Sequence, residues 1–236
     1  MKQQGVVLAE GPIGPDNIVV VGDVHGCVNA LGDILKAVRD TGCTLVFVGD
    51  LIDRGEHGVE VLTIVRGLLE DPSSWGLKKV VVVAGNHERM ALDAIREVES
   101  GEVRMRRGDY DLWVDNGGDR RDFKYLRKSG GRQWLASLPL FYEHSKRIEY
   151  EGRKLKLLIT HASVDEGVPL SMQDPDTLQW DRHINGYGKD YLTINGHTIC
   201  REAEPIHYDT PTGPVLRIDT GSYWSGIVTA IALTEV

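Results

Sequence analysis

Cysteine is scarce in this chain, and its spacing excludes two ways of stabilising a small protein. The three cysteines, Cys27, Cys43 and Cys200, are odd in number, far apart and without a CxxC pair. Neither a disulfide framework nor a zinc knuckle is therefore expected. Reduced thiols are typical of the cytoplasm, which is the predicted location.

Long apolar runs, internal repeats and low-complexity segments are absent as well. No stretch approaches the ~20 apolar residues of a membrane-spanning helix, and residues 1–14 lack the basic start and apolar core of a signal peptide. Positive charge is in deficit, since 27 Lys and Arg face 35 Asp and Glu, a formal net charge of −8. We therefore expect neither a membrane nor nucleic acid as a partner, because a general nucleic-acid binder is normally basic.

The chain does contain a series of short apolar runs, several of which stop at a glycine. In the first half they predict strands over residues 17–21, 44–48 and 79–84. Apolar residues at helical spacing predict helices over residues 27–39, 59–69 and 88–98. Continuous apolar strands that are each followed by a helix predict an α/β fold whose sheet is covered on both faces.

The later part of the chain favours strands that follow one another without helices between them. They are predicted over residues 154–160, 191–195, 215–219 and 226–233, the last two as a closing pair. Residues 101–131 are rich in Arg, Asp and Gly and interrupt this organisation. We therefore predict a single domain, residues 1–236, with a cap or loop inserted over residues 99–133.

Polar residues with metal-binding chemistry follow the carboxyl ends of the predicted strands. They are Asp23, His25, Asp50, Asn86, His161 and His197. Each one alone has an ordinary explanation as a turn, a helix cap or a hydrogen-bonded core residue. Together they are typical of a site at the strand ends of an α/β sheet. Oxygen and nitrogen donors without thiolate suit manganese, iron or a similar first-row ion.

A set of this size predicts two ions that share one carboxylate. Two metals about 3.5–4 Å apart can hold both ends of an in-line displacement at phosphorus. The sequence therefore predicts a two-metal hydrolase of phosphate esters.

Three short motifs resemble, in the same order, the signature motifs of the phosphoprotein phosphatase (PPP) family of metallophosphatases. They are GDVHG (residues 22–26), GDLIDRG (residues 49–55) and GNHE (residues 85–88). The likeness continues with THA (residues 160–162) and GHT (residues 196–198). Within the family, the short chain, NGG (residues 116–118) after Trp113 and WDR (residues 180–182) resemble the bacterial and bacteriophage lambda-type serine/threonine protein phosphatases.

The resemblance implies a calcineurin-like metallophosphatase fold, a central β-sandwich flanked by helices with a small helical or loop insertion. It also implies two divalent ions, manganese first, with iron or zinc as alternatives. Asp23 and His25 would hold the first ion and Asp50 would bridge. The second ion would be held by Asn86, His161 and His197.

The same resemblance implies the catalytic roles. Arg54 and Arg182 would bind the phosphoryl oxygens together with Asn86, since the planar guanidinium suits that task. A hydroxide that bridges the two ions would attack phosphorus directly. His87 would be the general acid for the leaving oxygen, and Asp53 would orient the His87 ring and favour its charged form.

Three functions remain open from the sequence. The leading one is a protein serine/threonine phosphatase, active on phosphoserine, phosphothreonine and also phosphotyrosine in a protein or peptide. The second is a symmetrical bis(5'-nucleosyl)-tetraphosphatase, whose members tend to carry alanine at the position of Asp53 and aspartate at that of Glu88, so both residues favour the phosphatase. The third, an inactive module that binds phosphorylated partners, is disfavoured because no ligand of the pattern is missing.

Two features outside the motifs have a structural and a functional interpretation. A basic cluster is either a solvated loop or a patch that attracts acidic substrates; it comprises Arg104, Arg106, Arg107, Arg120 and Arg121. Tyr223 and Trp224 are expected to pack the last strands rather than to line the cleft.

Overall fold

The computed structural model describes residues 2–101 and 108–236, which form eleven strands and eight α-helices. The strands are β1 (Gln4–Leu8), β2 (Asn17–Val21), β3 (Thr44–Phe47), β4 (Lys79–Val82), β5 (Phe141–Glu143), β6 (Ile148–Tyr150), β7 (Arg153–Thr160), β8 (Tyr191–Asn195), β9 (Ile206–Thr210), β10 (Gly213–Arg217) and β11 (Ile227–Glu235). The helices are α1 (Val28–Val38), α2 (Gly58–Glu70), α3 (Asn86–Ser100), α4 (Asp109–Asp115), α5 (Arg120–Lys128), α6 (Gly131–Ser137), α7 (Pro175–Trp180) and α8 (Ser222–Ser225). None of the helices in the described part has the length and apolar character to cross a bilayer.

The strands form one continuous path whose two halves face each other. The first half has the order β4-β3-β2-β11-β6, with β2, β3 and β4 parallel and β11 antiparallel to β2. The second half has the order β7-β8-β10-β9, with β7, β8 and β10 parallel. The β6–β7 hairpin joins the halves, β1 pairs with β11, and β5 pairs with β7.

Strands β2, β3 and β4 of the first half are mostly apolar because each of their faces is covered by a different layer. Successive side chains point to opposite faces. Val19 and Val21 join an apolar cluster with the helices, whereas Ile18 and Val20 join a second cluster with strands of the other half. Fully burying one such side chain contributes about 1.5–3 kcal/mol. The predicted α/β fold with a central β-sandwich flanked by helices is confirmed.

The predicted strands and helices agree with the observed ones to within about two residues at most ends, the margin expected for element boundaries. One pairing was wrong: β10 pairs with β8 and β9, whereas β11 pairs with β1, β2 and β6. The two strands therefore belong to opposite halves, because the segment between them crosses the sandwich. Strands β1, β5, β6 and β9 were not foreseen; they are short, and most of their residues are only partly buried.

The segment that the sequence predicts as an insertion, residues 99–133, is largely helical in its described part. Helix α4 packs against α3, and α5 packs against α2 and α6. Trp113, Phe123 and Leu126 are buried in the cluster that lies between the helices and the sheet. Of the basic cluster, Arg104, Arg106 and Arg107 lie outside the described residues. Arg120 and Arg121 are exposed on α5.

Candidate active site

The residues predicted to bind metal converge because strands from both halves of the sandwich end at the same place. They are Asp23 and His25 after β2, Asp50 after β3, Asn86 after β4, His161 after β7 and His197 after β8. All but His197 are at most 4% exposed, and His197 is half-buried. The structure therefore brings all six positions to one edge, as the rule for ligand sites in α/β sheets predicts.

Asp50 lies at the centre of this group. Its Oδ2 atom is 3.6 Å from Nε2 of His25 and 3.4 Å from Nε2 of His161. Two sets of candidate ligands share it: Asp50 with His25 and His87, and Asp50 with His161 and His197. This placement suits a carboxylate that bridges two ions.

Asn86 completes the second set. Its Oδ1 atom lies 3.0 Å from Nε2 of His161 and 3.1 Å from Nδ1 of His197. An amide oxygen and two imidazole nitrogens therefore converge beside the Asp50 carboxylate, without thiolate. This donor set fits a first-row divalent ion.

The three imidazoles of the predicted ligand set share an arrangement that prepares them as ligands. In each, one ring nitrogen donates to a backbone carbonyl: His25 Nδ1 to Ile52 at 2.8 Å, His161 Nδ1 to Val48 at 2.9 Å and His197 Nε2 to Trp180 at 3.0 Å. A carbonyl can only accept, so that nitrogen carries a proton, and the other nitrogen is the one that faces the cluster and binds an ion in its unprotonated form. Metal-binding histidines are oriented by such bonds.

Asp23 departs from the predicted set. Its carboxylate accepts from the backbone N–H of His197 at 3.1 Å, and in the described part of the chain it belongs to neither of the two candidate groups. Gly196 allows this approach, because a side chain there would collide with the Asp23 carboxylate. The role of Asp23 as a ligand of the first ion stays a prediction.

The electrostatics of the site are those of crowded buried carboxylates. Burial and the charge of Asp219 raise the pKa of Asp23 well above its ordinary value. Burial, aided by the charge of Asp50, raises the pKa of Glu88 to about 7. Burial opposes a charge on His161, but the Asp50 carboxylate outweighs it and raises the pKa of His161 to about 10. Divalent cations would relieve this excess of buried negative charge.

A second hydrogen-bonded group, beside the candidate ligands, contains the predicted acid. Nδ1 of His87 lies 2.7 Å from Oδ2 of Asp53, and both side chains are fully buried. Nε2 of His87 has no hydrogen-bond partner among the described residues and lies 3.9 Å from Oδ2 of Asp50. The ring is therefore held at one nitrogen and presents the other to the cluster.

Burial dominates the titration of this pair. It raises the pKa of Asp53 well above its ordinary value and lowers the pKa of His87 to about 4. Burial therefore outweighs the charge of Asp50 at the His87 ring, and the expectation that Asp53 favours the charged ring stays a prediction.

The two predicted phosphate-binding arginines are exposed on the rim of the site. Arg54 lies 4.8 Å over the ring of Tyr223, and its Nη1 is 3.4 Å from Nε2 of His25. The main chain at Arg182 is fixed by the buried guanidinium of Arg217, which donates to the carbonyl of Arg182 at 2.8 Å. Tyr223, at 41% exposure, contacts the edge of His25 and lines the cleft, contrary to expectation.

Sequence reasoning gave no role in the site to Glu88. Its Oε2 accepts from the backbone N–H of Asp50 at 2.7 Å and of Gly85 at 3.0 Å, and its Oε1 from that of Leu51 at 2.9 Å. Asp50 has φ +51°, a left-handed conformation that is unfavourable for aspartate. Glu88 therefore holds the main chain that presents the central carboxylate. Its place in GNHE was the only available signal.

Comparisons with known proteins agree with this geometry. Residues 17–201 match the family model of the calcineurin-like phosphoesterases. Serine/threonine-protein phosphatase 1 of Salmonella typhimurium is 39% identical over 226 residues, 90% of each chain. An asymmetrical bis(5'-nucleosyl)-tetraphosphatase of Halalkalibacterium halodurans is 25% identical over 244 residues, covering 92% of this chain and 90% of its own. A crystal structure of a provisionally assigned diadenosine tetraphosphatase superposes with a TM-score of 0.60 at 18% identity, over 99% of this chain and 97% of that one.

The chain belongs to the calcineurin-like phosphoesterases, a family of metal-dependent hydrolases that use a binuclear metal centre. Within them it is a metallophosphatase of the PPP family, as its motifs implied. Relatives of both the phosphatase and the tetraphosphatase kind match over nearly the whole chain, so the substrate is a separate question.

Proposed function

We propose that this protein is a cytoplasmic, metal-dependent phosphomonoesterase that removes phosphate from phosphoserine and phosphothreonine in proteins or peptides, and also from phosphotyrosine. The buried Asp53–His87 pair, with an Nδ1–Oδ2 distance of 2.7 Å, carries the proposal. An alkyl oxygen such as that of serine is a poor leaving group, so its departure depends on a positioned acid. A site built only for good leaving groups would not need this pair.

The ligand cluster is proposed to hold two divalent ions, manganese first, with iron or zinc as alternatives. The residues are Asp23, His25 and Asp50 for one ion and Asp50, Asn86, His161 and His197 for the other. When bound, the ions supply Lewis acidity that polarises phosphoryl oxygens and lowers the pKa of water.

The protein's own residues bind the phosphoryl group and move the proton. Arg54, Arg182 and the amide of Asn86 bind the phosphoryl oxygens at the mouth of the cluster. The dianionic phosphoryl group then lies close to Nε2 of His87, and its negative charge favours a second proton on the ring. His87 gives that proton from Nε2 to the departing oxygen while Nδ1 stays bonded to Asp53.

Hydrolysis of dinucleoside polyphosphates is the second candidate, supported by the full-length similarity to a tetraphosphatase. Its leaving group is a nucleotide phosphate, which departs more readily than an alkoxide. The fully buried acid pair therefore supports the first candidate over the second. An inactive phospho-binding module is third, because every residue of the predicted ligand and acid set is present.

The test is a side-by-side measurement of kcat/KM. The purified protein is stripped with a chelator, reloaded with manganese and assayed on a phosphoserine peptide, diadenosine tetraphosphate and nitrophenyl phosphate. We expect no activity after stripping, recovery with manganese and a higher kcat/KM for the peptide than for the dinucleotide. A dominant turnover of the dinucleotide would reverse the ranking, and activity that ignores both treatments would refute the metal dependence.

A further inference from the structure

The inserted segment contributes one buried side chain directly to the acid pair. Trp113, on α4, is fully buried, and its Nε1–H donates to Oδ2 of Asp53 at 2.7 Å. Oδ2 is also the atom that accepts from Nδ1 of His87. A residue 60 positions away from Asp53 along the chain therefore shares an atom with the acid pair.

The indole fixes the direction of its own hydrogen bond and favours one direction for the bond between His87 and Asp53. An indole N–H can only donate, so Oδ2 of Asp53 is held as an acceptor. This acceptor role favours a proton on Nδ1 of His87, the nitrogen that faces Oδ2, so Nε2 is the nitrogen that exchanges a proton with substrate. Oδ1 of Asp53 is buried without a partner, so in the described structure the carboxylate is oriented through Oδ2 alone.

The same segment holds the main chain on both sides of Asp53. The N–H of Arg54 donates to the carbonyl of Gly117 at 2.9 Å, and the buried carboxylate of Asp122 lies beside the main chain of Asp53. Asp53 and Arg54 have φ of +67° and +66°, conformations that cost roughly 1–2 kcal/mol per residue for side chains with a Cβ. These contacts keep two adjacent strained residues in place.

We propose that Trp113 is a positioning residue for phosphoryl transfer, acting through Asp53 on the ring of His87. The helices α4 and α5 are thereby part of the catalytic apparatus rather than a separate cap. This inference rests on the proposed function, because it assumes that His87 protonates the leaving oxygen. It assigns to the insertion the orientation of the acid, not contact with substrate.

The experiment replaces the indole and measures leaving-group dependence. Trp113→Phe keeps an aromatic ring and removes only the donor and some volume. Because mutation of such supporting partners costs about 10–100-fold, we expect a loss of that size in kcat on an alkyl phosphate. On nitrophenyl phosphate, whose leaving group hardly needs a proton, the loss should stay below about 3-fold.

A matched control separates positioning from packing. Phe123, on α5, contacts the ring of Trp113 with a centroid distance of 5.5 Å and touches no residue of the acid pair in the described contacts. Phe123→Leu should lower stability by a similar amount and leave the ratio of alkyl to aryl turnover unchanged. In a His87→Asn background, Trp113→Phe should add less than about 2-fold, since residues that act as a unit are not additive.

Equal losses on both substrates, or a changed ratio in Phe123→Leu, would overturn the proposal. If Trp113→Phe does not fold, the hydrogen bond can be tested in the wild-type protein by the NMR chemical shifts of its indole N–H protons. A strongly downfield indole proton that moves upfield in Asp53→Ala supports the bond, and the absence of such a signal refutes it. If the Trp113 variants behave as expected but the protein prefers diadenosine tetraphosphate to the phosphoserine peptide, the proposed function is rejected and the role of Trp113 is not.

Discussion

Metal ions should stabilise the folded chain strongly, and the effect should depend on the one carboxylate that both ligand groups share. The Asp50 carboxylate lies between the two candidate ligand groups, within 3.6 Å of His25 and His161. Burial, together with neighbouring carboxylates, raises the pKa of Asp23 and Glu88, so bound cations would favour the charged forms of these groups. Replacing Asp50 by asparagine keeps the shape of the side chain and removes the charge that both ions would share.

The size of the effect follows from linkage. A ligand at 100 times its Kd stabilises the folded state by about 2.7 kcal/mol per site. Two sites therefore add about 5 kcal/mol. For a chain of 236 residues, each kcal/mol raises Tm by about 2–4 °C. Manganese at that excess should raise the Tm of the stripped wild-type protein by about 10–20 °C.

The assay is calorimetric melting of stripped protein over a manganese titration, with two aspartate variants compared. Asp50→Asn should lose most of the shift. Asp33→Asn, on α1, removes a carboxylate that accepts from the N–H of Gly5 and is not part of either candidate group, so it should keep the full shift. A wild-type shift below about 3 °C, or an equal shift in Asp50→Asn, would show that the cluster does not bind two ions in the folded state.

Three further outcomes are expected. His87→Asn should lower kcat on an alkyl phosphate by about 10²–10⁴-fold but much less on nitrophenyl phosphate; equal losses in a rate assay would contradict the acid role. Burial opposes the charge on His161, but Asp50 raises the pKa of His161 from 6.5 to about 10. The charged ring therefore stabilises the metal-free protein fully below pH 6.5, and this contribution is lost as the pH rises through about 10. Metal-free melting between pH 7 and 10 should show a falling Tm that flattens in His161→Gln; a flat wild-type profile would refute this. Glu88→Asp shortens the side chain by one methylene, so its carboxylate no longer reaches the N–H groups of Asp50 and Leu51. We expect manganese binding to weaken about 10–100-fold in a calorimetric titration. Unchanged binding would show that the main chain needs no such support.

Much of the fold could be predicted from the sequence because several of the strands are short apolar runs that stop near a glycine. The strand predicted over residues 17–21 is β2, and the one over residues 191–195 is β8. Local pattern cannot choose partners, however, so β10 and β11 were wrongly paired. Pairing depends on where the chain crosses between the two halves, and the apolar pattern of both strands is the same.

The site shows the same division. The sequence by itself determined which residues gather, because Asp50, Asn86 and His161 each follow a strand whose end lies at one edge of the sheet. Only the tertiary structure decided how the residues of the site are held in place. Trp113 donates a hydrogen bond to Asp53, and Glu88 accepts one from the main chain of Asp50. Such contacts join residues far apart along the chain, and they arise from packing of whole elements. No spacing within a single motif encodes them.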